Sequence, residues 1–185
     1  MIKKIEHALS AIDNKYLTVD KINYERMFQF ELYHQIKMQN IEQTDLTPEF
    51  KKESKYFREN PFSETIGNYI PDLLIHNFNN RENQNIAIEI KSINRNNMNS
   101  IYNDIKKLMC YCHNSANALN YRIGLLILYD GDFIKKYNRA RIYKSKIKDL
   151  FNYTYNPVEI WLLKENHSII KYAKEYFQRG YTPNN

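Results

Sequence analysis

Residues 86–93 read Ile-Ala-Ile-Glu-Ile-Lys-Ser-Ile, an octet with the pattern of a β-strand. Side chains alternate along a strand, so Ile86, Ile88 and Ile90 face one side while Ala87, Glu89, Lys91 and Ile93 face the other. A glutamate and a lysine therefore stand on one face about 7 Å apart. Flanks this apolar predict a central strand. Charges are costly there unless they are paired or bound to a metal.

The preceding strand-like segment, 69–76, reads YIPDLLIH. Asp72 shares a face with Ile70, Leu74 and His76. Aspartate is disfavoured inside strands, so one embedded in such apolar sequence needs a reason. Pro71 has no N–H to give to a ladder and predicts an edge or a bulge, and bulges often sit beside active sites. The asparagine-rich stretch 77–85 joins the two segments. An antiparallel hairpin is the simplest arrangement, and it sets Asp72 across from Glu89. Two carboxylates and a lysine on one patch suit phosphodiester hydrolysis. Carboxylate oxygens hold Mg²⁺, the metal polarises the phosphate and acidifies a water, and the lysine orients that water or stabilises developing charge. The plainer alternative is an ion pair on a strand face, which contributes little.

Outward from this pair, Met27, Phe28, Leu32 and Ile36 recur at helical spacing and predict a helix over about Thr18–Met38, capped by Asp20 or Asn23. Residues 40–65 read as loop with room for one short helix. A helix is expected over about Met98–Leu119. Arg122–Tyr129 is a continuous apolar run, as in a strand buried on both faces, and Asp130-Gly131 ends it with turn chemistry. Then come a helix over about Asp132–Lys146, a strand Val158–Leu163 and a closing helix Ser168–Gln178. The expected fold is α/β, one domain spanning 1–185 with its core at about 18–163.

The chain has 185 residues, 43% of them apolar and 26% charged, with a formal charge of +6. These values exclude collagen-like and fully disordered classes and favour polyanionic partners. Cys110 and Cys112 stand too close in sequence for an unstrained disulfide and lack a second pair for zinc. They read as reduced thiols, so a cytoplasmic protein is expected. The charged N-terminus lacks the apolar run of a signal peptide. No run of about 18 apolar residues occurs, so no membrane partner is expected.

Pro71-Asp72 followed 17 positions later by Glu89-Ile90-Lys91, with a glutamate-bearing helix before and a helix after, resembles the PD-(D/E)xK nuclease superfamily. The stretch YNDIKKL, 102–108, resembles the helix that commonly follows the Glu-x-Lys strand in its bacterial members. The resemblance covers about residues 22–129. It implies a restriction-endonuclease-like core, a central mixed β-sheet flanked by α-helices, built from a helix, a three-stranded antiparallel meander, a helix and a strand. It implies that Asp72, Glu89 and the carbonyl of Ile90 bind Mg²⁺, with Mn²⁺ able to substitute, and that Lys91 acts on the attacking water. An extra glutamate on the first helix often serves such sites. Glu25 and Glu31 both lie on apolar arcs of that helix at 100° per residue. The context Asn23-Tyr24-Glu25-Arg26 is slightly closer to the family's helix start.

Asp104 and Lys107, at i and i+3, read either as an ordinary helix pair or as one turn packed against the site. His76 is not taken as a ligand. Lys135, Lys136, Arg139, Arg141, Lys144, Lys146 and Lys148 form a basic run that reads as a phosphate track or a solvated helix face. The expected function is a metal-dependent nuclease, an (endo)deoxyribonuclease by family habit, with RNA left open. A homodimer is one way to cut both strands of a duplex. The rival readings are an inactive nucleic-acid-binding module on the same fold and a basic adaptor protein of a mobile element.

Overall fold

The computed structural model describes residues 1–17, 24–39, 45–48, 70–76, 86–113, 119–152, 156–173 and 176–177. The elements are α1 (Ile2–Ser10), a 3₁₀ turn (Asn14–Tyr16), α2 (Tyr24–Met38), β1 (Asp45–Pro48), β2 (Leu73–His76), β3 (Ile86–Ser92), α3 (Met98–Tyr111), β4 (Ile123–Tyr129), α4 (Phe133–Arg139), α5 (Arg141–Leu150), β5 (Val158–Leu163) and β6 (Ile169–Tyr172). The strands form one mixed sheet in the order β1-β2-β3-β4-β5-β6. β1, β2 and β3 make an antiparallel meander. β4 and β5 continue parallel to β3, and β6 returns antiparallel on the far edge.

Helices cover both faces of the sheet. Ile86, Ile88 and Ile90 of β3 join Leu125, Ile127 and Tyr129 of β4 against α1 and α2. Ala87, Leu126 and Leu128 turn the other way, into a core with α3, α4 and α5. The alternation expected for β3 is therefore the one observed, and it aims Glu89 and Lys91 at α3. Gly124 lets α3 approach the start of β4. A Cβ there would come within 2.9 Å of Cys112 Sγ and 3.1 Å of Leu108 Cβ. On the opposite face Phe28 of α2 stacks on Tyr129 at 4.3 Å between ring centroids.

Several sequence expectations are corrected. α1 was not anticipated: Ile5, Ala8 and Leu9 bury one face against α2 and the sheet, although charges flank them. β1 lies in the span read as loop. Its Pro48 is tolerated because, among the described residues, β1 pairs only with β2 and stands at the edge of the sheet. The strand expected from residue 69 begins at Leu73, and α3 ends at Tyr111 rather than Leu119. The single helix over 132–146 is broken at Ala140 into α4 and α5. The segment expected as a closing helix holds β6. His167 takes a left-handed turn conformation (φ 60), which folds Ile169–Tyr172 back along β5. The caps Asp20 and Asn23 and the asparagine-rich stretch 77–85 lie outside the described residues.

Candidate active site

The register pairs Leu73 with Ile88 and Leu74 with Ala87. Extended by one and two residues, it sets Asp72 opposite Glu89 and Pro71 opposite Ile90. Pro71 has no N–H to offer the Ile90 carbonyl. The Ile90 N–H, which faces the same edge, is taken by Asp72 Oδ2 at 2.7 Å. Asp72 thus sits in the bend just before β2, its side chain continuing the ladder where proline stops it. Its backbone carbonyl accepts Gln29 Nε2 of α2 at 2.7 Å. The Pro-Asp pair lies just before the first residue of β2, which is an interior strand of the sheet.

Glu89 is 1% exposed. Its Oε2 accepts Lys107 Nζ of α3 at 2.8 Å, and its Oε1 is buried with no hydrogen-bond partner. Asp104, one turn earlier on α3 and 6% exposed, lies between two ammonium groups: Oδ1 is 3.3 Å from Lys107 Nζ and Oδ2 is 3.3 Å from Lys91 Nζ. The latter is an ion contact without hydrogen-bond alignment, since Asp104 Oδ2 has no aligned donor. Lys91 Nζ donates to Glu25 Oε1 at 3.0 Å. Glu25 Oε2 accepts the Ser92 N–H at 3.3 Å and Asn96 Nδ2 at 3.1 Å.

Four carboxylates (Glu25, Asp72, Glu89 and Asp104) thus meet two ammonium groups (Lys91 and Lys107) in a largely buried cluster. Burial pushes the Asp72 carboxyl up to about 6, against the Ile90 N–H and the two lysines, which favour its charge. Glu89 is pushed up well above the usual carboxylate range, first by burial and then by the negative charge of Asp72, with Lys107 opposing. Burial acts to lower both lysines. Asp104 and Glu25 outweigh it at Lys91, and Glu89 and Asp104 outweigh it at Lys107, so both ammonium groups are held above their ordinary range. Buried negative charge in excess of its counter-charge either takes up protons or takes up a cation. The oxygen of Glu89 left open, Oε1, is a hard donor of the kind a hard cation takes. Among the described residues no three His, Cys, Asp or Glu side chains form a ready-made metal cluster.

Of the two glutamates left open on α2, Glu25 reaches Lys91. Glu31 instead accepts Gln35 Nε2 one turn further along its own helix, at 2.7 Å. Its expected place at the site is corrected, and the reason is local. Met27, counted as apolar, is 47% exposed. The buried stripe is Phe28, Gln29, Leu32 and Ile36, and half-buried Glu25 lies on the same arc at its N-terminal end. Asp104 and Lys107 join the cluster rather than forming an outlying pair. Gln29 and Asn96 went unnoticed, although Gln29 could have been found as a polar side chain on the apolar stripe. His76 is buried and lies 3.1 Å from Thr47 Oγ1, within the meander.

The fold and site together define an α/β protein with a buried carboxylate–lysine cluster where β2 and β3 meet α2 and α3. Compared with protein-family models, curated proteins and solved structures, the chain matches none, so the reading of this site rests on its own geometry. No helix among the described residues is long and apolar enough to cross a membrane.

Proposed function

We propose that the chain is a metal-dependent nuclease of the PD-(D/E)xK type, with a restriction-endonuclease-like core and DNA as its expected substrate. The observation that carries the reading is the buried, donorless Oε1 of Glu89, on a strand face shared with Lys91 and opposite Asp72. A structural ion pair has no use for such an oxygen, because leaving a buried acceptor unsatisfied costs about 1–3 kcal/mol.

Asp72, Glu89 and the Ile90 carbonyl would hold Mg²⁺ or Mn²⁺. Such an ion would supply charge neutralisation at the scissile phosphate and a lowered pKa for a bound water. Lys91, clamped by Glu25 and Asp104, is positioned to donate to the attacking water and to the charge that develops on phosphorus oxygens. Glu25 orients Lys91 and is itself fixed by the Ser92 N–H and Asn96. Lys107 holds Glu89 in place through Oε2 and leaves Oε1 directed to the reaction.

The test is cleavage of plasmid, linear and single-stranded DNA and of RNA with Mg²⁺ and Mn²⁺, using Lys91→Ala as control. Metal-dependent cleavage that disappears in the control supports the nuclease. No cleavage of any substrate, together with no metal-induced rise in Tm, would overturn it in favour of a non-catalytic binding module.

A further inference from the structure

The β3–α3 turn and the elbow between α4 and α5 enclose a groove of about 950 Å³, just past the C-terminal end of β3. Lys135, Lys136, Arg139 and Arg141 line it, with Ile142 and Tyr143 at the start of α5. Lys136 ties the elbow to the turn by donating to the backbone carbonyls of Ile93 and Asn96. Asn96 in turn donates to Glu25. A single bonded chain therefore connects the groove with the carboxylate–lysine cluster.

Among the described residues no carboxylate pairs with Lys135, Arg139 or Arg141. Asp132, the acidic residue of the lining, is engaged at the N-terminus of α4, where Oδ1 accepts the Lys135 N–H at 2.9 Å. Beside these cations Ile142 is 70% exposed, the most exposed large apolar side chain among the described residues.

We propose that this groove takes a single-stranded stretch of nucleic acid adjoining the scissile bond. An unpaired base seats against Ile142 and Tyr143, and the flanking phosphates meet Lys135, Arg139 and Arg141. The proposal rests on the nuclease reading of the neighbouring cluster. Unpaired cations complement phosphate. The apolar part of the concavity selects against a duplex, whose base faces are stacked inward and which presents only phosphates, sugars and groove edges. A single strand offers a π-face to fill that space.

The experiment is fluorescence anisotropy in EDTA, so that binding is read without cleavage. The probes are a short labelled DNA strand and its duplex, titrated with the wild type, Arg139→Ala/Arg141→Ala, Ile142→Ala and Tyr143→Ala. Melting curves confirm that each variant folds, and Ile142 is exposed enough to be safe. Tighter binding of the single strand is expected, with a loss of about tenfold in Tyr143→Ala and a smaller loss in Ile142→Ala. In the double variant the slope of log K against log salt should fall by about 0.7 for each phosphate contact removed. Equal or tighter binding of duplex, no binding of either probe, or indifference to all these substitutions would overturn the groove assignment while leaving the nuclease reading to its own cleavage assay. The expected binding pattern with no metal-dependent cleavage of any substrate and no metal-induced rise in Tm would instead retain the groove as a single-strand binding site and overturn the nuclease.

Discussion

Lys107 of α3 and Glu89 of β3 are joined at 2.8 Å through only one carboxylate oxygen, the other being buried and donorless. The pair crosses from helix to sheet, so it couples the position of α3 to the site. Removing the lysine leaves a carboxylate buried without its main counter-charge. Lys107→Met should destabilise the protein by about 3–5 kcal/mol, as breaking one side of a buried pair does. Glu89→Gln should cost far less, since the amide carries no charge into the interior, yet it should abolish both cleavage and metal-induced stabilisation. Urea unfolding of the two variants checks the asymmetry, and equal losses would contradict it.

Glu25 and Glu31 provide a contrast within one helix. Glu25→Ala removes a partner of Lys91, the Ser92 N–H and Asn96 at once. It should lower kcat by at least about tenfold, with KM little changed, because it acts through Lys91. Glu31→Ala loses only the bond from Gln35 and should stay within about 0.5 kcal/mol of the wild type in stability, with unchanged kinetics. Steady-state kinetics on the substrate found in the cleavage screen decide this. Equal effects of the two substitutions would mean that the buried stripe does not select Glu25.

Proton and cation should compete at the cluster. The Asp72 carboxyl titrates near 6 in the folded protein, against an ordinary value of 3.8. The folded state therefore holds its proton more tightly than the unfolded chain. The contribution of Asp72 to stability is greatest below about pH 4 and is lost as pH rises to about 6. Glu89, raised by burial and by Asp72, acts in the same direction. A divalent ion bound at the proposed site would replace those protons. The rise in Tm on adding Mn²⁺ should accordingly be small at pH 5 and grow as pH rises through 6. A pH-independent rise would place the metal elsewhere.

The central strands were legible in the sequence because their signals are local. IAIEIKSI alternates, RIGLLILY is continuously apolar, and VEIWLL has the same limits in the structure as in the pattern. The hairpin argument also carried over, because the register brings Asp72 opposite Glu89. The remaining features depend on distant partners. Asp104 and Lys107 have the spacing of any solvent-facing helix pair, and only the packing of α3 over β3 reveals that they meet Glu89 and Lys91. Met27 counted as apolar although it faces outward, which blurred the choice between Glu25 and Glu31. β1 and β6 are four-residue edge strands, too short for periodicity to show. Ser-Ile-Ile-Lys-Tyr becomes a strand through the turn at His167 and its pairing with β5.

Gly124 offers a test of the coupling between packing and chemistry at a distance from the cluster. It lies on the face of β4 toward α3, where an added Cβ would meet Cys112 Sγ at 2.9 Å, Leu108 Cβ at 3.1 Å and Val158 Cγ2 at 3.1 Å. These neighbours are buried, so the strain cannot be relieved by turning a side chain into solvent. Gly124→Ala should therefore cost about 1–3 kcal/mol by overpacking. Relief requires α3 to lift from the sheet, and α3 carries both Asp104 and Lys107. The variant should lose cleavage activity beyond what its unfolded fraction explains, when measured well below its Tm. Cys112→Ala in the same chain removes the nearest clashing atom and should restore part of both stability and activity. Restored stability without restored activity would show that the position of α3 does not control the site.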